Sequence, residues 1–167
     1  MLISEETSKA LDLLYNQFFN LNSVYDNAVS FMLNEWCTPN ASEIIHKNLA
    51  HTFPVMADMI SEIKDNYDER SIRMELPKHD ESYNDLSDMM DNLLGYCNDT
   101  YEMIKQVGKV AMDNDDFNVV SDLVGFTTKF NKIIGQVITL QNKAKQMPTE
   151  YDKFDRHIDK WGIVGLE

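Results

Sequence analysis

Apolar side chains recur at three- and four-residue intervals along four long stretches, the period of helices that each bury one face. The first, residues 4–36, lines up Leu11, Leu14, Phe18, Leu21, Tyr25, Ala28 and Met32, with Ser4 as N-cap and Glu5 and Glu6 in the first turn, at the positive end of the helix dipole. Pro39 in "CTPNASE" ends it by disfavouring helix at Thr38. The second, residues 42–70, carries Ile45, Leu49, Phe53, Met56, Ile60, Ile63 and Tyr67; Pro54 lies inside the pattern and predicts a kink, or a helix that starts nearer His51. The third, residues 83–113, buries Leu86, Met90, Leu93, Cys97, Tyr101, Ile104 and Val107. The fourth, residues 116–147, buries Val120, Leu123, Phe126 or Thr127, Phe130, Ile134, Val137 and Leu140. Beyond Pro148, Tyr151, Phe154, Ile158 and Trp161 form an aromatic stripe on a short helix, suited to docking on the bundle or on a neighbouring subunit.

These elements predict an all-α, four-helix bundle in a single domain. The first dozen residues are more polar than the rest of the first helix and are expected as an N-terminal helical extension, residues 1–12, before a bundle at 13–147 and a C-terminal tail helix at 148–167. Composition agrees: 43% of the 167 residues are hydrophobic, and only six Gly and four Pro are present, too few turn residues for an all-β fold. Cys37 and Cys97 lack zinc or disulfide spacing and read as reduced core thiols of a cytoplasmic protein. No apolar run reaches eighteen residues and no basic-then-apolar leader opens the chain, so no membrane partner is expected.

The net charge of −13 changes the picture of partners, because it opposes unaided binding to nucleic acid or anionic lipid and favours cations. On the second helix Asp58, Glu62, Asp65 and Glu69 succeed one another at spacings of four, three and four, opposite the apolar face, with His51 one heptad earlier. One reading is a solvated face; the other is a cation site, since carboxylates with an occasional imidazole suit iron, manganese or magnesium. A di-iron centre inside the bundle needs inward acids from all four helices, whereas the fourth helix offers Asn131, Gln136 and Gln141; an outward stripe fits a site between subunits. No nucleophile arrangement or glycine-rich phosphate loop points to another enzyme class.

"DNYDER", holding Asp65, Glu69 and Arg70 ahead of Pro77, resembles the second-helix signature of the Dps miniferritins. "NDDFNVVSDLVGFTTKFNK", with Asp122 and Lys132, resembles their fourth helix, and Trp36 in "NEWCTPN" the end of their first. The resemblance implies a ferritin-like bundle with a long crossover between helices two and three, assembled into a dodecameric cage that oxidises and stores iron and protects DNA. It implies metal ligands at Asp65 and Glu69, with His51, Glu35, Asp58 and Glu62 as further candidates, and an ion pore lined by Asp113, Asp115, Asp116 and Asp122. No His precedes His46, and Glu35 stands beside Trp36, so the ferroxidase centre is expected to be weakened or relocated. DNA, near the nucleoid, is expected to be reached through bridging divalent cations or through Lys9, Lys143 and Lys145. The alternative is a non-catalytic helical interaction protein with a solvated acidic face.

Overall fold

The computed structural model describes residues 2–166. The first helix, α1 (Glu5–Trp36), is followed by a short helix, α2 (Pro39–Ile45), a π-helical turn (His46–Ala50) and α3 (Thr52–Asp65). Two long helices, α4 (Leu86–Asp113) and α5 (Phe117–Gln146), come next, then α6 (Tyr151–His157) and a single 3-10 turn (Ile158–Lys160). Packing joins α1 to α3 and α4, and α5 to α3 and α4, so the four helices close around one core. Partners along α1 run in reverse order on α3 (Asp26 with His46, Asn22 with Ala50, Asp12 with Lys64) and on α4 (Gln17 with Thr100, Tyr25 with Leu93). Both are therefore antiparallel to α1. Consecutive α3 and α4 then run the same way, which requires a crossover the length of the bundle; this is a ferritin-like four-helix bundle.

The apolar positions expected on the first three predicted helices are buried, all but half-buried Tyr67, which lies just beyond α3, and Tyr101 on α4. On α5 the buried positions are Val119 and Ile133 rather than their neighbours Val120 and Ile134, a slip of one position. Cys97 is buried as expected, but Cys37 is exposed because it caps α1 in the left-handed region, φ 51°. Asp68 (φ 58°) and Asp115 (φ 60°) end α3 and α4 in the same conformation. At α3 the Glu69 N–H reaches the Lys64 carbonyl and the Asp68 N–H that of Asp65, the paired bonds of a Schellman C-terminus. The helix thus stops at Asp65, short of the expected Arg70.

Residues 66–85 form the crossover, which is extended and without a strand partner for its backbone. A polar stripe on α1 supplies the missing bonds. Asp12 accepts from Ile72 N–H at 3.0 Å; Asn16 accepts from Met74 N–H at 2.8 Å and donates to the Ile72 carbonyl at 2.7 Å. Asn20 bonds His79 Nε2 at 2.6 Å, and Asn27 donates to the Glu81 carbonyl at 3.2 Å. Burial raises the Glu81 carboxyl, but bonds from His79 and Tyr96 outweigh it and hold the group below the usual range. Asp12, Asn16 and Asn20 are all buried, so these polar positions of α1 serve the crossover rather than solvent. The first dozen residues are thus not a separate projection: Glu5 onward is continuous with α1, and Thr7, Ser8, Leu11 and Asp12 are buried against the rest of the bundle.

Pro54 acts as expected. Having no N–H, it leaves the Ala50 carbonyl without its helical donor; the chain widens into the π-turn, and Asn22 Nδ2 donates to that carbonyl at 2.8 Å. The C-terminal residues cover the same turn. Asn48 Nδ2 donates to the Ile163 carbonyl at 2.7 Å, and Gln136 on α5 accepts from the N–H groups of Val164 and Gly165. The aromatic stripe docks on its own bundle: Phe154 and Ile158 are fully buried, and Tyr151 stacks on Trp36 at 4.7 Å. Gly165 has φ +68°, and a Cβ there would lie 1.9 Å from the Asn48 carbonyl oxygen. Gly165→Ala is expected to undock residues 163–166, read as fast amide exchange at Val164 and Gly165 where the wild type is protected.

Candidate cation-binding surface

Four groups of side chains meet at one end of the bundle: the start of α1, the end of α3, the α4–α5 turn and the start of α5. Ser8 Oγ donates to Glu69 Oε2 at 3.3 Å, and Tyr67 Oη donates to Asp122 Oδ2 at 2.6 Å, tying three of the four together. Ser4 N–H (3.1 Å), Ser4 Oγ (2.9 Å) and the Thr7 hydroxyl all donate to Asp116 Oδ2. The result is an acidic pole that carries Asp65, Asp68, Glu69, Asp113, Asp115, Asp116 and Asp122, with Glu5 and Glu6 beside them. Asp65, Asp68, Glu69 and Arg70 line one shallow surface depression there. Asp65 and Glu69 are therefore neighbours, but across a turn rather than on one helical face. Asp58 and Glu62 remain on α3, exposed, leading down to the depression.

The other expected site residues lie elsewhere. Glu35 is exposed at the far end of α1, about 40 Å along the axis from Ser8 and hence from Glu69. His51 packs near Asn22 and Asp26, about 20 Å from the pole. Within one chain neither joins Asp65 and Glu69. Among the described residues, no three His, Cys, Asp or Glu side chains converge closely enough to enclose a metal ion. Of the lysines considered for DNA, Lys9 pairs with Glu5 at 2.7 Å at the acidic pole, while Lys143 sits over the Trp161 ring at 5.4 Å at the opposite end, near Lys145. They do not form one basic patch.

Of the pore candidates, Asp113 and Asp115 face solvent, and Asp115 also closes the helix end in its left-handed conformation. Asp122 is the acceptor for Tyr67, whose hydroxyl burial and the Asp122 charge push up to about 12. Asp116 is half-buried and caps α1 from a distance. Burial raises its carboxyl, but the three donors from Thr7 and Ser4 outweigh that and hold it below the usual aspartate range. Because the folded value lies below the unfolded one, this contribution to stability is complete above the ordinary range near pH 4 and is lost as pH falls through the lowered folded value. Asp116→Ala is expected to cost about 1 to 2 kcal/mol at neutral pH, read from denaturant midpoints, with the difference from wild type shrinking in acid.

The centre of the bundle is closed. Phe18 meets Phe126 and Phe130 edge-on at 5.3 Å each, Tyr25 meets Phe53 at 4.7 Å, and all are buried. Beside these rings the Tyr25 hydroxyl and the Cys97 sulfur lie 3.1 Å apart, and the buried Thr100 hydroxyl accepts from Gln17 Nε2 at 3.0 Å. Burial pushes the Cys97 thiol up to about 12, so it is no thiolate ligand at neutral pH. The chemistry of these side chains does not fit a di-iron centre, which needs inward carboxylates.

Two interactions escaped the pattern of apolar positions. Lys64, 1% exposed, donates to Asp12 Oδ1 at 2.7 Å and to the Arg70 carbonyl at 2.9 Å, a buried ion pair that holds the start of the crossover. His46 and His51 are brought together by the π-turn, with ring centroids 4.2 Å apart.

No protein-family model and no curated protein matches this chain. Among solved structures, one described as a humanized archaeal ferritin superposes with a TM-score of 0.87, covering 99% of this chain and 99% of that one, at 12% sequence identity. At that identity the likeness is one of fold, and it extends over the full bundle, crossover and tail included.

Proposed function

We propose that the chain is the subunit of a ferritin-like homo-oligomeric shell that takes up Fe2+ as cargo at the acidic pole and holds it at carboxylates between subunits. The observation that carries this is the end-to-end correspondence with a solved archaeal ferritin, combined with a bundle centre filled by the rings of Phe18, Phe53, Phe126 and Phe130. Asp65 and Glu69 supply the first oxygen ligands, with Asp58 and Glu62 beside them, and Asp113 and Asp115 draw the cation in. Assembly is favoured by exposed apolar side chains, including Val124 at 65% and Phe117 at 56%, and by an apolar groove between α4 and α5 lined by Tyr101, Ile104, Leu123 and Val124. In keeping with the Dps resemblance, the shell is dodecameric and its storage of iron protects DNA, which it contacts through bridging divalent cations.

Iron titration tests the site. Fe2+ added without oxygen, then oxidised with hydrogen peroxide, is expected to give a ferric absorbance that stays with the protein through gel filtration. Asp65→Asn with Glu69→Gln should reduce retained iron at least about threefold while leaving the fold intact. Unchanged retention in that double variant contradicts the assignment of these residues. The aromatic closure of the bundle favours a second reading, a non-catalytic helical interaction protein, for which no iron is retained by any variant.

A further inference from the structure

In a regular α-helix residues five apart stand about 140° around the axis, so His46 and His51 would point away from each other. The π-turn changes this. His51 N–H bonds the His46 carbonyl at 3.1 Å, five residues back, and the two imidazoles meet edge-on with centroids 4.2 Å apart. Asp26, one helix away on α1, lies 3.1 Å from His46 Nδ1 through Oδ1. A carboxylate can only accept, so Nδ1 carries the proton and Nε2 of the neutral ring keeps its lone pair. Both His46 and Asp26 are partly open to solvent, and His51 is exposed. The nearby Lys47 ammonium is occupied by Glu43.

From this geometry we propose that His46 and His51 form a two-imidazole site for a borderline divalent transition-metal ion, Zn2+, Ni2+ or Cu2+, completed by water. Asp26 is a positioning residue: its bond to Nδ1 fixes the tautomer that presents Nε2, the arrangement by which a carboxylate behind a metal-ligating histidine raises its basicity. Imidazole selects these ions over Mg2+ and Ca2+, which prefer oxygen. The site is independent of the acidic pole, about 20 Å away along α3, and stands whether or not the chain stores iron. Its structural device is the π-turn itself, forced by Pro54 and supported by Asn22.

Calorimetric titration of the full chain with ZnCl2 at pH 7.5 in excess MgCl2 tests it. About one equivalent is expected to bind in the wild type and in the Asp65→Asn, Glu69→Gln variant alike. His46→Ala and His51→Ala should each weaken that event at least about tenfold. Asp26→Asn should weaken it about 10- to 100-fold, the range for loss of such a carboxylate, and should shift the His46 ring nitrogen resonances of the metal-free protein away from the Nδ1–H tautomer. A readout that needs no variant is paramagnetic broadening in the wild type, where substoichiometric Cu2+ should broaden the His46 and His51 ring protons before those of His79 and His157. Zinc binding that is unaffected by either histidine variant, or copper broadening that spares these two rings, overturns the proposal.

Discussion

Lys64→Ala is expected to destabilise the fold by about 3 to 5 kcal/mol, a large share of the stability of a domain this size. The cost has a specific origin. The Lys64 ammonium is buried against the Asp12 carboxylate and the Arg70 carbonyl, and removing it leaves a charge with little access to water and no counter-ion. Asp12 also accepts from Ile72 N–H, so the loss extends to the first anchor of the crossover. The double variant Asp12→Leu with Lys64→Met removes both charges and should recover most of the loss, since a buried pair replaced by well-packed apolar groups is often neutral. Urea midpoints for the single and double variants measure this directly. Equal destabilisation in the two would mean that the crossover depends on the ion pair itself rather than on charge balance.

Phe18→Ala is expected to cost about 3 to 5 kcal/mol for a different reason. Phe18 is fully buried and packs with Phe53, Phe126 and Phe130, so it links α1 to α3 and α5 at the middle of the bundle. Truncation opens a cavity lined by aromatic rings that rigid neighbours fill only in part. Phe18→Leu, which keeps more of the volume, should cost less than half as much. Thermal unfolding followed by circular dichroism checks the order; equal melting temperatures for wild type and Phe18→Ala would contradict a closed aromatic centre.

How much of this was legible in the amino-acid sequence depends on the kind of contact. The long helices were, because period 3.6 records which face of a helix is dry, and Leu11, Phe53, Leu93 and Phe130 all lie where the spacing places them. The disturbance at Pro54 was legible too, because a missing N–H is a local fact. The end of α3 was not: glycine is the usual signal for a left-handed cap, and Asp68 carries none. Extending the helix to Arg70 put Glu69 on the acidic face, when it lies across a turn from Asp65. The crossover ladder was invisible for a related reason. Asp12, Asn16 and Asn20 look like a solvated stripe until residues sixty positions away supply their partners. The His46 and His51 pair escaped because spacing of five belongs to no regular helix face.

Assembly decides the function, because a cation site between subunits exists only if subunits meet. Sedimentation velocity of the purified protein at micromolar concentration, without iron, measures it most directly. A shell is expected to sediment as a discrete species many times the 19.4 kDa chain mass, near twelve copies, with no change on removing divalent ions. A single species at the mass of one chain or two would contradict it.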